Sequence, residues 1–459
     1  MDVLTLSRIQ FGLTIGFHYI YPPLSIGLGV MLVLFEAFWL KTKNQVYHQM
    51  AKFWTNIFAL TFALGVATGL VMEFEFGTNW ASYSRFVGDI FGSALAAEGI
   101  FAFFLEAGFL AVLLFGWDKV SPRMHFFATC MVCLGAHFSA VWITVANSFM
   151  QTPAGYHLVG TDMHRRAEVT NFWQMVMSPS SGDRLFHTLC GAWMAGAFLV
   201  ISVSAYYLLK KRHEDFAWRC MQIALPVALL ASIVQGISGD MSARMVAKWQ
   251  PAKLAAFEGL YHTETNAPLA IVGYVDEKDH KVEGLEVPEL LSFLTYHDLH
   301  AQVQGLDSVP PEDWPPVQAC FMFFHGMVAI GVALLAVSMV GCLVMWRGEL
   351  SVNRWLLWIL VFSVLGPAIA NQLGWFAAEV GRQPWIVWHE MRTPAGLSAV
   401  IRANTVLTSL VLFTFIYMLL FAVFIYMLNH KIQTGPHPDD LVPHGKLAIP
   451  NLTTDESTS

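Results

Sequence analysis

Charged residues are scarce in this chain. Only 13% of its 459 residues are Asp, Glu, Lys or Arg, whereas 56% are hydrophobic. A soluble protein of this length needs far more charge on its surface, so the composition excludes an ordinary soluble enzyme and indicates a membrane protein. No basic run stands out and the net charge is −7, which argues against nucleic acid as a partner.

Cysteine is rare as well, and its spacing does not support covalent haem attachment. The six cysteines are scattered, and Cys130 with Cys133 forms a CxxC pair. Leu134 rather than His follows this pair, which excludes c-type haem attachment there. We interpret these cysteines as small residues buried among helices.

Apolar runs of about twenty residues fill most of the chain. They predict an all-α fold, a polytopic membrane helix bundle with about nine transmembrane helices. Barrel strands would be about half as long and would alternate in polarity. Pro22 and Pro23 predict a kink or break within the first run. The predicted spans are residues 11–40, 53–75, 92–116, 125–149, 186–209, 217–237, 317–345, 355–375 and 404–428.

Lysine and arginine concentrate in alternate short loops, for example at Lys41, Lys119 and Lys210. The positive-inside rule places these loops in the cytoplasm, with the N-terminus outside and the C-terminus in the cytoplasm. One outside loop is acidic and too long for a simple connector, so we expect it to carry function or a small fold. The chain divides into residues 1–237 with six helices, the extracytoplasmic loop 238–316, residues 317–428 with three helices, and a cytoplasmic tail, 429–459, predicted to be disordered.

Several side chains that are costly in lipid or that can bind a metal lie in or beside the predicted spans. In the predicted orientation they share the outer half of the membrane, except that Glu106 lies deeper. Glu98 and Glu106 stand about 12 Å apart along one helix and on roughly the same face. A carboxylate inside a helix favours proton binding or metal contact. The set comprises His18, Glu98, Glu106, His187, Met327 and Glu379.

Together these residue types suit haem iron. Imidazole and thioether form a closed, six-coordinate site that transfers electrons, and His187 with Met327 supplies that pair if their helices adjoin. A single strong protein ligand leaves a position open for dioxygen, and His18 and Glu379 are candidates for two such ligands. Spacing alone proves none of these pairings. Glu379 lies in GWFAAEVGRQPW, which follows an apolar span directly.

A series of motifs resembles subunit I of the cytochrome bd-type quinol oxidases along nearly the whole chain. Several matches in the same order are more specific than any one of them. In chain order they are SRIQFGLTIGFHYIYPPLSIG with His18, EGIFAFFLE with Glu98 and Glu106, VWITVANSFMQTPAGY from Val141, RLFHTLCGAW with His187, FFHGMVAIG with Met327, and the signature GRQPW just after Glu379.

The resemblance implies the haem-bearing subunit of a terminal oxidase. Such a subunit oxidises quinol at the outer face, reduces dioxygen to water at high-spin haems and takes protons from the cytoplasm, which generates a proton-motive force. His187 and Met327 are then the ligands of low-spin haem b. His18 and Glu379 are the ligands of two high-spin haems, a haem b and either haem d or a third haem b, and which residue holds which haem stays open.

Further roles follow from the same resemblance. Glu106 and Glu98 would relay protons, with Glu98 close enough to contact a haem iron. Arg8 and Arg382 would balance haem propionates or the carboxylate ligand. Trp375 would pack against a macrocycle, although ordinary packing at the membrane interface explains it equally well.

The acidic loop contains KLAAFE, which resembles the quinol-recognition segment of the family. This implies that Lys253 and Glu258 take part in quinol oxidation. A quinol hydroxyl needs a hydrogen-bond acceptor and a proton acceptor as it loses electrons, and Glu258 can serve as both. Lys253 can bind a quinone oxygen or hold Glu258 ionised.

The chain departs from the family pattern in two places. Its loop is short compared with the extended loop of some members. His325 stands two residues before Met327, where many relatives have Arg. This change alters the field around the low-spin haem and resembles the cyanide-insensitive branch, whose members can carry haem b in place of haem d.

The resemblance also implies partners and a location. We expect a companion membrane subunit II, a small single-helix accessory subunit, and ubiquinol or menaquinol as the substrate with dioxygen. The expected location is the bacterial cytoplasmic (inner) membrane, where the bilayer surrounds the helices. Two other functions remain open: a proton-coupled transporter, for which His187 and Met327 would have no role, and an electron-transfer subunit with low-spin haem alone.

Overall fold

The computed structural model describes residues 1–161 and 164–437, and these residues are mostly helical. Nine helical segments within them are long and apolar enough to cross a membrane. The prediction of an all-α polytopic bundle is confirmed. These segments are Val3–Thr42, Gln45–Thr78, Gly88–Phe115, Pro122–Gln151, Ser181–Lys210, Glu214–Trp249, Val317–Trp346, Arg354–Val380 and Ala403–Thr434.

The first span breaks where its two prolines predict. Helix α1 covers Val3–His18 and helix α2 covers Tyr21–Thr42. Proline lies in the first turn of α2, where a missing N–H does no harm. The side chain of Asp2 caps α1 by accepting a hydrogen bond from the Thr5 amide at 2.8 Å. The break leaves His18 at the very end of α1.

The next elements form the first half of the bundle. Helix α9 packs on α2, α7 and α10 and is the most deeply enclosed span of the described chain. The elements are α3 (Gln45–Thr78), α4 (Ala81–Phe86), α5 (Gly88–Glu98), α6 (Phe104–Phe115), α7 (Pro122–Gln151), β1 (Tyr156–Val159), β2 (Arg166–Val169), α8 (Phe172–Val176), α9 (Ser181–Lys210) and α10 (Glu214–Trp249).

Two glycines allow α2 and α9 to cross in close contact. A Cβ atom at Gly27 would lie 2.1 Å from the backbone oxygen of Ala192, and one at Gly196 would lie 2.1 Å from the Gly27 carbonyl carbon. Any side chain at either position would push the helices apart, because close backbone approach needs small residues. This crossing seats α9, and with it His187, against the N-terminal helices.

The long loop contains short helices and strands of its own. Helix α10 continues to Trp249, so the loop begins later than residue 238. Its elements are α11 (Pro251–Glu258), β3 (Glu264–Thr265), β4 (Leu269–Asp276), β5 (Lys281–Val287), α12 (Leu290–Tyr296) and β6 (Gln302–Val303). Strands β4 and β5 form an antiparallel hairpin, and β3 pairs with β6.

The eighth span differs from its prediction. It consists of α14 (Arg354–Phe362) and α15 (Leu365–Val380), with a break at Ser363 and Val364. Helix α15 extends past residue 375, so Glu379 lies in its last turn rather than after the helix. The short strands β7 (Trp385–Val387) and β8 (Met391–Arg392) follow it.

Two long helices complete the bundle. Helix α13 covers Val317–Trp346 and packs on α15, and α16 covers Ala403–Thr434 and packs on α1. The predicted tail from residue 429 is therefore helical up to Thr434, and residues 438–459 lie outside the described residues. We call the end of the bundle at which α1 begins, α3 ends and the 250–316 loop packs the loop end.

Candidate functional site

A large cavity lies at the loop end, between α1 and α15. Its volume is about 1000 Å³, at the upper end of the roughly 300–1,000 Å³ typical of cofactor pockets. Four residues singled out from the sequence line it: Arg8, Trp375, Glu379 and Arg382. The rest of the wall is mainly aromatic and aliphatic. The cavity is thus an apolar space with few charged groups.

Three donors hold Glu379 in the cavity wall. Its Oε1 atom accepts hydrogen bonds from Asn147 Nδ2 at 2.9 Å and from Gln151 Nε2 at 3.2 Å, and its Oε2 atom accepts from the Arg382 guanidinium. A carboxylate offers about four lone-pair sites, so three donors orient it and leave one site for a metal. Asn147 and Gln151 could not be predicted as site residues, because nothing in the α7 sequence marks these amides as supports for a residue far along the chain.

Positive charge exceeds negative charge around the cavity. Arg382 is only 4% exposed and donates to the backbone oxygens of Trp385, at 2.8 Å, and Ile386. Arg8 lies close enough to repel it electrostatically. Two guanidinium groups near one carboxylate favour an additional anionic group in the cavity.

Two unpaired donors add to this anion-binding character. Trp80 Nε1 and the Tyr83 hydroxyl line the cavity, are buried, and have no hydrogen-bond partner among the described residues. Burial raises the pKa of Tyr83 well above its usual value, so its hydroxyl stays a donor. Buried donors normally find acceptors, so a bound group with carboxylates, such as haem propionates, fits here. No sequence pattern pointed to either residue, because packing alone brings α4 to the cavity.

His18 faces α3 instead of the cavity. Its Nδ1 atom lies 2.9 Å from the Thr68 hydroxyl, which itself donates to the Leu64 carbonyl at 2.7 Å. Thr68 must therefore accept from His18, which places the proton on Nδ1 and leaves the Nε2 lone pair available to a metal. A helical partner that fixes the tautomer in this way is typical of metal-binding histidines.

His187 lies in the second turn of α9, deeper than the first turn predicted. Its Nδ1 atom is 2.9 Å from Ser238 Oγ, and the Gln235 amide nitrogen is 2.9 Å from its Nε2 atom. Ser238 fixes the tautomer as Thr68 does for His18. The same amide nitrogen lies 3.3 Å from Nδ1, so it contacts both ring nitrogens and lies off the axis of the Nε2 lone pair.

Met327 lies half-buried on α13 with its sulfur against α15. A Cβ atom at Gly374 would lie 2.7 Å from Met327 Sδ, so only glycine leaves room for the thioether there. One turn earlier in α15, the Asn371 amide approaches the Gly191 carbonyl of α9 at 3.5 Å. Helix α15 therefore touches both α13, with Met327, and α9, with His187.

Glu98 and Glu106 flank a π-helical turn, Gly99–Phe103, that the sequence analysis did not predict. Glu98 and Glu106 are eight positions apart in the sequence. The π-turn between them contains one extra residue, so their rotation about the helix axis is close to that of two residues seven positions apart in a regular α-helix. Because positions seven apart share a helix face, the insertion aligns the two carboxylates more closely. Both face α7: Ser139 donates to Glu98, and Glu106 packs against Gly135, where a Cβ atom would lie 2.4 Å from its Cγ atom.

The two loop residues lie on one short helix, α11, and both are buried. Lys253 is 1% exposed and donates to Gln250 Oε1 at 2.8 Å and to Gln151 Oε1. Burial holds its pKa well below the usual value. Gln151 also donates to Glu379, so a single amide connects the loop lysine to the cavity carboxylate. Lys253 and Glu258 do not form an ion pair.

Glu258 is buried beside α13. Burial raises the pKa of its carboxyl to about 8, and its Oε2 atom has no hydrogen-bond partner among the described residues. His325 Nε2 lies 3.8 Å from this oxygen and 2.7 Å from the Ala270 carbonyl of β4. Histidine at position 325 thus ties α13 to the loop hairpin next to Glu258.

The structure thus groups the predicted residues into neighbouring clusters rather than one site. The cavity cluster contains Arg8, Trp375, Glu379 and Arg382, and Gln151 links it to Lys253. His18, His187 and Met327 lie on three other helices, α1, α9 and α13, and the pair Glu98 and Glu106 lies against α7.

Comparison with known proteins agrees with this arrangement. A family model described as cytochrome bd terminal oxidase subunit I matches residues 6–436. The chain is 37% identical to cytochrome bd ubiquinol oxidase subunit 1 of Bacillus subtilis over 452 residues, covering 96% of each chain. It is 33% identical to cytochrome bd-II ubiquinol oxidase subunit 1 of Escherichia coli, covering 95% of this chain and 97% of that one.

A solved structure shares the fold. The bd oxidase from Geobacillus thermodenitrificans superposes with a TM-score of 0.88 at 31% identity, covering 95% of this chain and 99% of that chain. The putative cytochrome bd menaquinol oxidase subunit I of Bacillus subtilis is 34% identical and covers 96% of this chain and 99% of its own length. The chain therefore belongs to the cytochrome bd terminal oxidase subunit I family and is a multi-pass, haem-bearing subunit of a membrane quinol oxidase.

Proposed function

We propose that quinol is oxidised at the loop end beside Lys253 and Glu258, and that its electrons serve dioxygen reduction at the cavity of Glu379. The observation that carries this proposal is the double contact of Gln151, which accepts from Lys253 and donates to Glu379. Loop and cavity therefore adjoin, which suits electron delivery over a short distance.

The ligands follow from the donor sets described above. We assign His187 and Met327 to low-spin haem b, and His18 and Glu379 to two high-spin groups, a haem b and either haem d or a third haem b. Bound haem supplies electron transfer and dioxygen reduction. The residues fit, because both histidines have fixed tautomers and Glu379 keeps a free lone-pair site.

The cavity also carries the counter-charges that haem needs. Arg8 and Arg382 are placed to hold propionate groups, together with the unpaired donors of Trp80 and Tyr83. Trp375 lines the same cavity and would pack on a macrocycle. These side chains position the cofactor and exclude water rather than exchange protons with substrate.

Glu258 would accept the proton of the quinol hydroxyl. Its carboxyl with a pKa of about 8 ionises near physiological pH, where a general base works best. Lys253, held by two amide oxygens, would donate a hydrogen bond to the quinone oxygen. Released protons then leave at the loop end.

Protons for water would come from the opposite end of the bundle through Glu106 and Glu98. The π-turn aligns the two carboxylates along α7, and Glu98 lies nearer the loop end. We place the loop end outside and the C-terminus in the cytoplasm, so proton uptake generates a membrane potential. Glu98 could also contact a haem iron directly.

Replacing Glu106 by Gln is expected to lower steady-state oxidase activity by about 100-fold, because a proton relay loses its only exchangeable group there. Haem content and the reduced spectrum should stay unchanged. Activity with quinol and dioxygen, measured on the purified oxidase, checks this. Glu349→Gln, which neutralises an exposed loop carboxylate, is the control. Full activity in Glu106→Gln would remove Glu106 from the essential route.

Replacing Met327 by Leu is expected to abolish or shift the low-spin haem signal, because Leu fills the space beside Gly374 without a sulfur ligand. The dithionite-reduced optical spectrum checks this. Met339→Leu removes an exposed methionine from the same helix and should leave the spectrum unaltered. An unchanged spectrum in Met327→Leu would contradict the assignment.

The relatives bear on substrate and partners. They are named for ubiquinol and for menaquinol, and we propose one of these two as the substrate. We further propose a companion subunit II, a small single-helix subunit and location in the bacterial cytoplasmic membrane.

A dithionite-reduced spectrum with and without carbon monoxide tests the function. A high-spin haem that responds to carbon monoxide supports it, haem without response favours low-spin electron transfer alone, and absence of haem favours a transporter.

A further inference from the structure

Glu75 on α3 is a buried carboxylate that none of the roles above uses. It is 2% exposed, and neither of its oxygens has a hydrogen-bond partner of normal geometry among the described residues. No cation of the described chain pairs with it. An unpaired ionised carboxylate is costly inside a membrane protein, so such a residue calls for a role.

The surroundings of Glu75 are polar but uncharged. From α1, the Thr14 hydroxyl faces its carboxyl, and from α16 the Tyr417 phenol does so. Tyr417 in turn lies 3.4 Å from Thr14 Oγ1. One turn further along α3, Asn79 donates to Gln10 of α1 at 3.1 Å. Tyr417 is the titratable group that faces Glu75 from a neighbouring helix, and α1 contributes neutral side chains.

These residues belong to a polar stripe that runs between the loop end and His18. Gln10, Thr14 and His18 are spaced four residues apart, so they lie along one face of α1. At the outer end of the stripe, the Asn79 carbonyl accepts from the Ser398 amide at 2.9 Å in the segment before α16. At the inner end, His18 contacts Thr68 of α3. Thr14, which faces Glu75, lies one turn, about 6 Å, from His18 along the axis of α1.

We propose that Glu75 is a redox-linked proton-binding group of the haem at His18, an inference that rests on the proposed ligand role of His18. While that haem is oxidised, its positive charge supplies the counter-charge that the chain does not give Glu75, and the carboxylate is ionised. When one electron from quinol arrives, that charge is lost. One proton then enters from the loop end, where the polar side chains of Asn79, Gln10 and Thr14 line the way, and forms an O–H bond on Glu75; reoxidation reverses both changes.

This role has a defined sign in an equilibrium measurement. The reduced state binds the proton more tightly, so raising the pH favours the oxidised state. The midpoint potential at His18 should therefore fall as pH rises in the wild-type oxidase, with at most one proton per electron. Glu75→Gln cannot bind the proton and should lose most of this pH dependence.

Redox titration of the intact, purified oxidase by haem absorbance at several pH values tests the proposal. Glu312→Gln, which neutralises an exposed carboxylate in the loop, is the matched control and should keep the wild-type slope. A wild-type slope in Glu75→Gln with normal haem content overturns the inference alone. A wild-type oxidase without any haem signal overturns the proposed function and the inference with it.

A second measurement does not depend on the variant folding. The reduced-minus-oxidised infrared spectrum of the wild-type oxidase should gain the C=O band of a protonated carboxyl upon reduction, and this band should shift in D2O. In Glu75→Gln the band should be missing. A wild-type spectrum without a carboxyl band, or an unaltered band in Glu75→Gln, contradicts the role of Glu75.

Discussion

Replacing Glu379 by Gln is expected to lower oxidase activity by about 100-fold or more. Removing a group that only supports a metal ligand typically weakens metal binding or activity about 10–100-fold. Removing the ligand itself should therefore cause a loss at or beyond the upper end of that range. The substitution also leaves the buried guanidinium of Arg382 without its counter-charge. Breaking a buried pair in this way costs about 3–5 kcal/mol of stability.

The two effects of Glu379→Gln can be separated. We expect the spectrum to lose one high-spin, carbon monoxide-responsive component while the low-spin signal of the His187 and Met327 site remains. A misfolded protein would lose both. Glu390→Gln, which breaks the more exposed ion pair with Arg165, should retain all haem signals and near-normal activity. A complete set of haem signals in Glu379→Gln would exclude a ligand role for this residue.

Replacing Glu258 by Gln is expected to lower kcat/KM for quinol by about 100-fold, within the range for loss of a general base. The pH profile should change as well. Because the pKa of the Glu258 carboxyl is about 8, the basic form increases as pH rises through that value. Wild-type quinol oxidation should therefore increase with pH up to about 8, and Glu258→Gln should lack this dependence.

The same variant should leave the haem sites intact. Dithionite reduces haem directly and does not need quinol oxidation at the loop, so the reduced spectrum of Glu258→Gln should match that of the wild type. Glu283→Gln, which removes an exposed carboxylate of the β5 strand next to Lys281, is the control and should keep both the rate and the pH profile. Wild-type kcat/KM in Glu258→Gln would show that another group accepts the quinol proton.

The sequence predicts the fold well because hydrocarbon imposes strong rules on length and polarity. Nine apolar runs and the break at Pro22 follow from those rules alone. Helix ends were less predictable, because α10 and α15 continue beyond their apolar stretches. The sequence places Glu379 near a membrane boundary but not in the last helical turn, because polar residues at that point are compatible with a helix end and with a loop alike.

The site was predictable only in part. Residue types with rare chemistry, such as His18 and Glu379, stand out against an apolar background. Their supports do not: Thr68, Ser238 and Asn147 are ordinary polar residues whose roles arise from tertiary contacts. The π-turn between Glu98 and Glu106 also escaped prediction, because it depends on how α5 and α6 pack on α7.

The shared amide of Gln151 offers a physical route by which binding at the loop and binding at the cavity would be thermodynamically coupled. Its side chain accepts from Lys253 and donates to Glu379, so a quinol that draws Lys253 away frees the amide to rotate and changes the hydrogen bonding of the carboxylate. Coupling between two binding equilibria is reciprocal. If quinol binds beside Lys253 as proposed, the factor by which it changes binding at Glu379 is the factor by which occupancy at Glu379 changes quinol affinity, and one glutamine would make the cavity an effector site for the loop.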